Sequence, residues 1–249
     1  MLAAKYDVKD FDHFVPKRFD PKNLHPDLFI HAKLKDILPA VFKDDDHYRS
    51  LLGDLLSARL VKDDLDQALS DRDEVLRDFG AEIRDQADSF HHYFYNVLSL
   101  HPMTHPKTAQ LISLGTIVAG SVGMHCKLLF ERARPVQYWP GLLPVLPTPP
   151  HPSFPSNHAT QAYTVAFLIA DALGSPMDRG IGQYLASLAD RIAVNREKAG
   201  VHFWSDSEAG RRLAQDVKDQ LMAIPFVRDD LLAVCCEELA DFATPAKSS

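Results

Sequence analysis

Residues 195–206 read Asn195-Arg-Glu-Lys-Ala-Gly-Val-His-Phe-Trp-Ser-Asp206, the end of one helix, a short turn and the start of another. Leu185, Leu188, Ile192 and Val194 form an apolar stripe that delivers Arg196 at a helix end. If the next helix begins near His202, Asp206 lies one turn away on the same face. Its carboxylate can then hold the imidazole N–H and leave the other ring nitrogen free. A histidine held that way is prepared as a nucleophile or base. Arg196 brings a planar, permanently charged fork suited to phosphate or another tetrahedral oxyanion.

Working upstream, Ser175-Pro176-Met177-Asp178 opens that first helix with a cap, a proline and an acid. Before it, Phe154-Pro-Ser-Asn-His158 precedes an apolar run from Ala159 to Leu173 that Gly174 stops, with Ser156 or Asn157 as the N-cap. The free backbone N–H groups of that helix start, with the Ser156 hydroxyl, form an anion site with His158 beside it. The proline-dense stretch between Pro135 and Phe154 reads as a stiff surface loop, and Trp139, His151 and Phe154 are candidates to line a pocket. A central helix is expected from about Lys107 to Ala133. Gly115, Ala119 and Gly123 recur on it every four residues, a flat face for close packing. Lys127 and Arg134 are seven residues apart, close to two helical turns, so both cations can face one point.

From about His47 to Leu100 the apolar period is helical, with Leu51, Leu52, Leu55, Leu56 and Leu60 on one stripe. His91 and His92 are adjacent and point to different sides of a helix, so a structural role is expected for them. His101 and His105 lie next to prolines, which disfavours regular helix there, and no metal site is supported. Residues 1–45 lack sustained periodicity and are read as an irregular arm packed on a helical catalytic domain, 46–249. Helices over roughly Trp204 to Met222 and Arg228 to Phe242 finish the chain. The fold class is all-α, a single-domain helical bundle with its site at helix ends.

Composition narrows the partners. Of 249 residues, 46% are hydrophobic and 24% charged, the balance of a globular chain. A net charge of -7 argues against bulk nucleic-acid binding, so any phosphate recognition is local. Three cysteines, two of them adjacent, make no disulfide framework. The amino terminus has no apolar signal core, so a cytoplasmic location is expected, or a periplasmic one if a signal segment was removed. The longest apolar run, Leu111 to Met124, is too short for a bilayer, and no membrane span is expected.

Taken together, Lys127-x6-Arg134-Pro135, Pro155-Ser156-Asn157-His158 and Arg196-x5-His202-x3-Asp206 resemble the type 2 phosphatidic acid phosphatase (PAP2) superfamily. That superfamily unites bacterial class A acid phosphatases, lipid phosphatases and vanadium-dependent haloperoxidases. The resemblance runs from Lys127 to Asp206 and on to Ala209-Gly210-Arg211. Two positions depart from the pattern. Asn157 stands where glycine is common, as the residue that best replaces it at positive φ. Asn195 stands where the phosphatases usually carry serine.

The resemblance implies that His202 attacks phosphorus, Asp206 orients it, and His158 protonates the leaving oxygen and later activates water. Lys127, Arg134, Arg196, Ser156 and the Asn157 amide would hold the phosphoryl oxygens. It implies a phosphomonoester hydrolase needing no metal or other cofactor; because no membrane span is expected, a water-soluble small molecule is favoured as substrate over a lipid phosphate bound from solution, with a homo-oligomer left open. The alternative within the same superfamily is a vanadium haloperoxidase, with vanadate at His202 and peroxide oxidising bromide. His151 stands where algal bromoperoxidases carry a second histidine, whereas chain length and the short His158-to-Arg196 spacing favour a phosphatase. A third reading is a non-catalytic oxyanion-binding helical protein.

Overall fold

A computed structural model describes residues 25–56 and 72–242, and among these it is helical with no strand. The described helices are α1 (Pro26–Val41), α2 (Asp45–Leu56), α3 (Arg72–Asp88), α4 (His91–Val97), α5 (Pro106–Phe130), the single turn α6 (Pro135–Tyr138), α7 (Asn157–Ala172), α8 (Gly180–Lys198), α9 (Trp204–Met222) and α10 (Ala233–Glu238). A π-helical segment, Phe226–Leu232, leads into α10.

α7 is the hub, packed against α5, α8 and α9. Its sequence explains that position. Ser156 caps it, accepting from the Ala159 N–H, no proline interrupts it, and Ala159, Ala162, Val165, Ala166, Leu168 and Ile169 are all fully buried. A helix apolar on so much of its circumference needs neighbours on several sides. The small-residue face of α5 meets it: a Cβ on Gly115 would touch Leu168, and one on Gly120 or Gly123 would collide with Gln161 or Asn157. On the other side Gly210 of α9 lies so close that a Cβ there would stand 2.7 Å from Ser156 O. Around this centre α1 lies across α5, α2 packs on α9 and α3 packs on α8.

Several expectations are corrected. The arm read as irregular contains α1, whose Pro26 takes the first helical position and whose Ile30, Ile37 and Val41 are buried; residues 1–24 lie outside the described residues. Leu60, placed on the helical stripe, also lies outside them. α5 stops at Phe130, not Ala133, because Glu131 turns left-handed (φ 49°) with its N–H on Lys127 O. That turn swings Arg132 and Arg134 off the helix line. α8 starts at Gly180 and not at Pro176, although Ser175 still accepts from the Gly182 N–H across the intervening turn. The helix expected over Arg228 to Phe242 is broken into π, α and 3-10 pieces. One helical stretch, Pro106–Tyr138, is long and apolar enough to cross a membrane by length and composition, contrary to the expectation that none would be. Its most apolar window is 67% buried inside the fold.

Candidate active site

The close approach of α9 to α7 brings two of the three motifs together. Ser156 N donates to Asp206 O at 2.9 Å, so the cap of α7 is fastened to the first turn of α9. The proline-rich loop folds back over the same place, with Val145 N on Ala199 O and Ser153 N on Arg132 O. Between these pieces and α3 lies a cavity of about 590 Å³ whose walls include Arg134, His151, Asn157, His158, Arg196 and His202.

His202 is buried, and its Nδ1 lies 3.0 Å from Asp206 Oδ2. Its Nε2 lies 3.1 Å from Arg134 Nη1. A guanidinium only donates, so Nε2 is the acceptor and the ring proton sits on Nδ1. Burial above all, helped by the charges of Lys127 and Arg134, pushes the His202 pKa down to about 3 against the pull of Asp206. The ring is therefore neutral at ordinary pH, with a lone pair on Nε2.

Asp206 is fully buried. Burial works to raise its pKa, but the hydrogen bond from His202, the charge of Arg132 and the Phe203 N–H outweigh it and hold the carboxyl below its ordinary value. Oδ2 also accepts from Phe203 N at 2.9 Å, and Oδ1 takes Arg132 Nη1 at 3.0 Å.

His158 donates from Nε2 to Gln86 O at 3.2 Å, which leaves Nδ1 as its other proton-carrying position. Burial, then the charge of Arg196, pushes its pKa down to about 4. Arg196 is 1% exposed. Its Nη2 donates to Ile83 O at 2.7 Å, whereas Nε and Nη1 are buried with no hydrogen-bond partner among the described residues. Burial lowers its pKa to about 10, so it stays charged. A charged group left with unpaired N–H donors at a cavity wall is costly unless an anion comes to it.

The first motif behaves differently from expectation. Lys127 does not line the cavity; Nζ donates to the carbonyls of Pro152, Ser153 and Pro155 at 2.8, 2.8 and 2.6 Å. It props the loop and adds charge from behind. Burial first, and the nearby Arg134, bring its pKa down to about 7. Arg134 does reach the cavity, anchored by His151 O at 3.0 Å and Val201 O at 2.7 Å, with its pKa lowered to about 10 by burial.

Ser156 serves as the cap and is not a wall residue. Asn157 occupies the first position of α7 and is not at positive φ, so the glycine-replacement reason given for it does not apply. Its side chain fits over Gly123 and donates to Gly120 O at 3.3 Å. His151 is half-buried on the wall, Nδ1 3.1 Å from Arg134 Nη2, its pKa lowered chiefly by burial. Trp139 and Phe154 do not line the cavity. Trp139 is 39% exposed at the end of α6, and Phe154 is fully buried edge-on to Phe130.

Three contributors have no motif signal. Arg132 is distinguishable in sequence only as a cation two residues before Arg134. The carbonyls of Ile83 and Gln86 on α3 carry no side-chain signal at all, because any residue offers a carbonyl.

No curated protein matches this chain. Among solved structures, one that resembles it is titled "Crystal structure of the first transmembrane PAP2 type phosphatidylglycerolphosphate phosphatase from Bacillus subtilis". It is 14% identical over 79% of this chain and 94% of that chain, with a TM-score of 0.35. Residues 109–214 match the family described as the PAP2 superfamily. That stretch, which is similar to the PAP2 superfamily, holds Lys127, Arg134, Ser156, His158, Arg196, His202 and Asp206.

Proposed function

We propose that the protein is a phosphomonoester hydrolase that works through a phosphohistidine at His202 and needs no metal. The observation that carries this reading is one cavity holding both a neutral, Asp206-oriented His202 and the unpaired buried N–H groups of Arg196. The match of residues 109–214 to the PAP2 superfamily supports phosphatase chemistry.

The phosphoryl group enters between Arg196 and Arg134 and takes over the Arg134 Nη1 contact now made to His202 Nε2. That exchange frees the nucleophile and presents it to phosphorus. Nε2 attacks, the P–O ester bond breaks, and His158 gives the leaving oxygen its proton from Nδ1. In the free protein His158 is neutral at ordinary pH, but phosphoryl oxygens beside it offset the repulsion of Arg196 and let it carry that proton. Water then attacks the phosphohistidine, His158 takes its proton, and the P–N bond breaks to release inorganic phosphate. Cations fixed before the reaction stabilise the charge that develops on the phosphoryl oxygens. Beyond the phosphoryl end the cavity is walled by Ala87, Leu146, Pro147 and Pro149 with Arg84 and Asp88 also contributing, which suits a small organic leaving group.

The test is turnover of p-nitrophenyl phosphate in EDTA with inhibition by vanadate. His202→Ala should abolish turnover and labelling by substrate phosphate. His158→Ala should slow poor leaving groups far more than good ones, and equal losses across leaving groups would remove His158 from the acid role.

His151 on the wall beside Arg134 favours one second reading, a vanadium-dependent haloperoxidase. His202 and the arginines would hold vanadate, whose chemistry is peroxide activation for halide oxidation. Efficient bromination by the vanadate-loaded protein, lowered by His151→Ala and accompanied by negligible phosphomonoester turnover, would put that reading first.

A further inference from the structure

The cavity owes one wall to α3, which lies outside the matched residues 109–214. Two of its backbone carbonyls hold the groups assigned to substrate. Ile83 O accepts from Arg196 Nη2 and Gln86 O from His158 Nε2. The direction in which each of these side chains points therefore depends on where α3 sits. Packing of Ile83 against Ala199 and Val201 is the apolar part of its seat.

The polar part is a latch centred on Glu82. Asn195 Nδ2 donates to Glu82 Oε1 at 3.1 Å and to Gln86 Oε1 at 2.9 Å. Gln86 Nε2 donates back to Glu82 Oε1 at 2.8 Å. From the surface, Arg191 Nε donates to Oε1 at 2.6 Å and its Nη2 closes on Oε2. Gln86 and Asn195 are both buried, so an acceptor stripped of its donor there has no easy recourse to water. Asn195 is also the position that departs from the phosphatase pattern. A primary amide has two N–H groups and can meet both acceptors of α3 at once, whereas a serine hydroxyl has one and is shorter.

We propose that Asn195 is a positioning residue that, by latching α3 through Glu82 and Gln86, orients both the oxyanion-binding Arg196 and the proton-carrying His158. The proposal rests on the phosphatase reading. It makes one side chain responsible for two effects, weaker oxyanion binding and poorer proton delivery, that a merely structural loss would not produce together in a folded protein.

The experiment compares the full-length wild type with Asn195→Ala and Arg191→Ala. Calorimetry gives the dissociation constant for inorganic phosphate, and a series of aryl phosphates gives the dependence of kcat/KM on the leaving group. Asn195→Ala should weaken phosphate binding roughly 10-fold, the scale of one stranded buried partner, and steepen the leaving-group dependence. Arg191→Ala, which releases the solvent-exposed end of the latch, should shift both quantities the same way by less. An Asn195→Ala protein that stays folded with both quantities unchanged would overturn the proposal. If that variant does not fold, Arg191→Ala decides in the same way. A wild type that neither binds phosphate nor turns over its esters would instead overturn the phosphatase reading together with this one.

Discussion

Asp206 carries two loads through its two oxygens, and the second is borne by a residue that no motif names. Oδ2 holds the His202 ring and the Phe203 N–H, while Oδ1 is held by Arg132, which also donates to Ser205 Oγ at 2.7 Å. The guanidinium carbon of Arg132 stands 4.5 Å from the Phe203 ring centre and 5.7 Å from that of Phe154, within cation-π range of both. Phe154, expected in the pocket, acts one step behind it, through Arg132 and Asp206. Arg132→Met should therefore leave phosphate binding nearly unchanged and lower kcat by roughly 10- to 100-fold, the scale of contacts that orient a ligating or reacting histidine from behind. A variant whose phosphate affinity falls while kcat holds would place Arg132 at the oxyanion instead.

At the scale of elements, the sequence was most legible where caps and periodicity agree. The helix expected over Trp204 to Met222 has those bounds, and the apolar run after Ser156 is α7, because the start signal, the absence of proline and the apolar pattern all agree there. The candidate site was legible for the same reason: spacing along those helices puts His202 over Asp206 and His158 at a helix start. What stayed hidden depends on tertiary partners. Nothing near Lys127 announces that three loop carbonyls will accept its hydrogen bonds, and nothing in residues 72–88 announces that its carbonyls will face two residues of the candidate site.

The α7–α9 approach that joins two motifs hangs on Gly210. A Cβ there would stand 2.7 Å from Ala159 Cβ and from Ser156 O, and 3.0 Å from Thr160 N. Backbone atoms of a capped helix cannot easily give way. Gly210→Ala should cost about 1–3 kcal/mol through overpacking and lower Tm by roughly 2–12 °C in a chain of this length. Activity should fall with it, since α9 carries Asp206. Gly53 of α2 is the control, because a Cβ there meets no atom of the described residues within 4 Å, and Gly53→Ala should be neutral or slightly stabilising. Calorimetric melts of both variants decide the matter, and equal Tm values for the two would contradict the tight α7–α9 contact.

For the whole molecule, the site concentrates buried positive charge, and that has a sign that can be worked through. Folded His158 and His202 have pKa values of about 4 and 3, below the ordinary 6.5, so the unfolded chain binds more protons as pH falls below about 6.5. Stability from these two groups is thus present above that pH and is lost as pH falls toward their folded values. Lys127 acts in the same direction between its ordinary 10.5 and its folded value of about 7. An oxyanion in the cavity reverses the trend, because it favours the charged form of each group and gives the unpaired N–H groups of Arg196 a partner. Sulfate is a suitable probe, since its own charge is constant from pH 5 to 9. At a hundredfold excess over its Kd it should add about 2.7 kcal/mol and raise Tm by roughly 5–10 °C. At one fixed sulfate concentration the increment should be larger at pH 5 than at pH 9, where Lys127 has lost its proton. Arg196→Ala should remove most of the increment at either pH. A sulfate effect that is the same in that variant, or that grows toward alkaline pH, would mean that the anion stabilises the protein from somewhere other than this cavity.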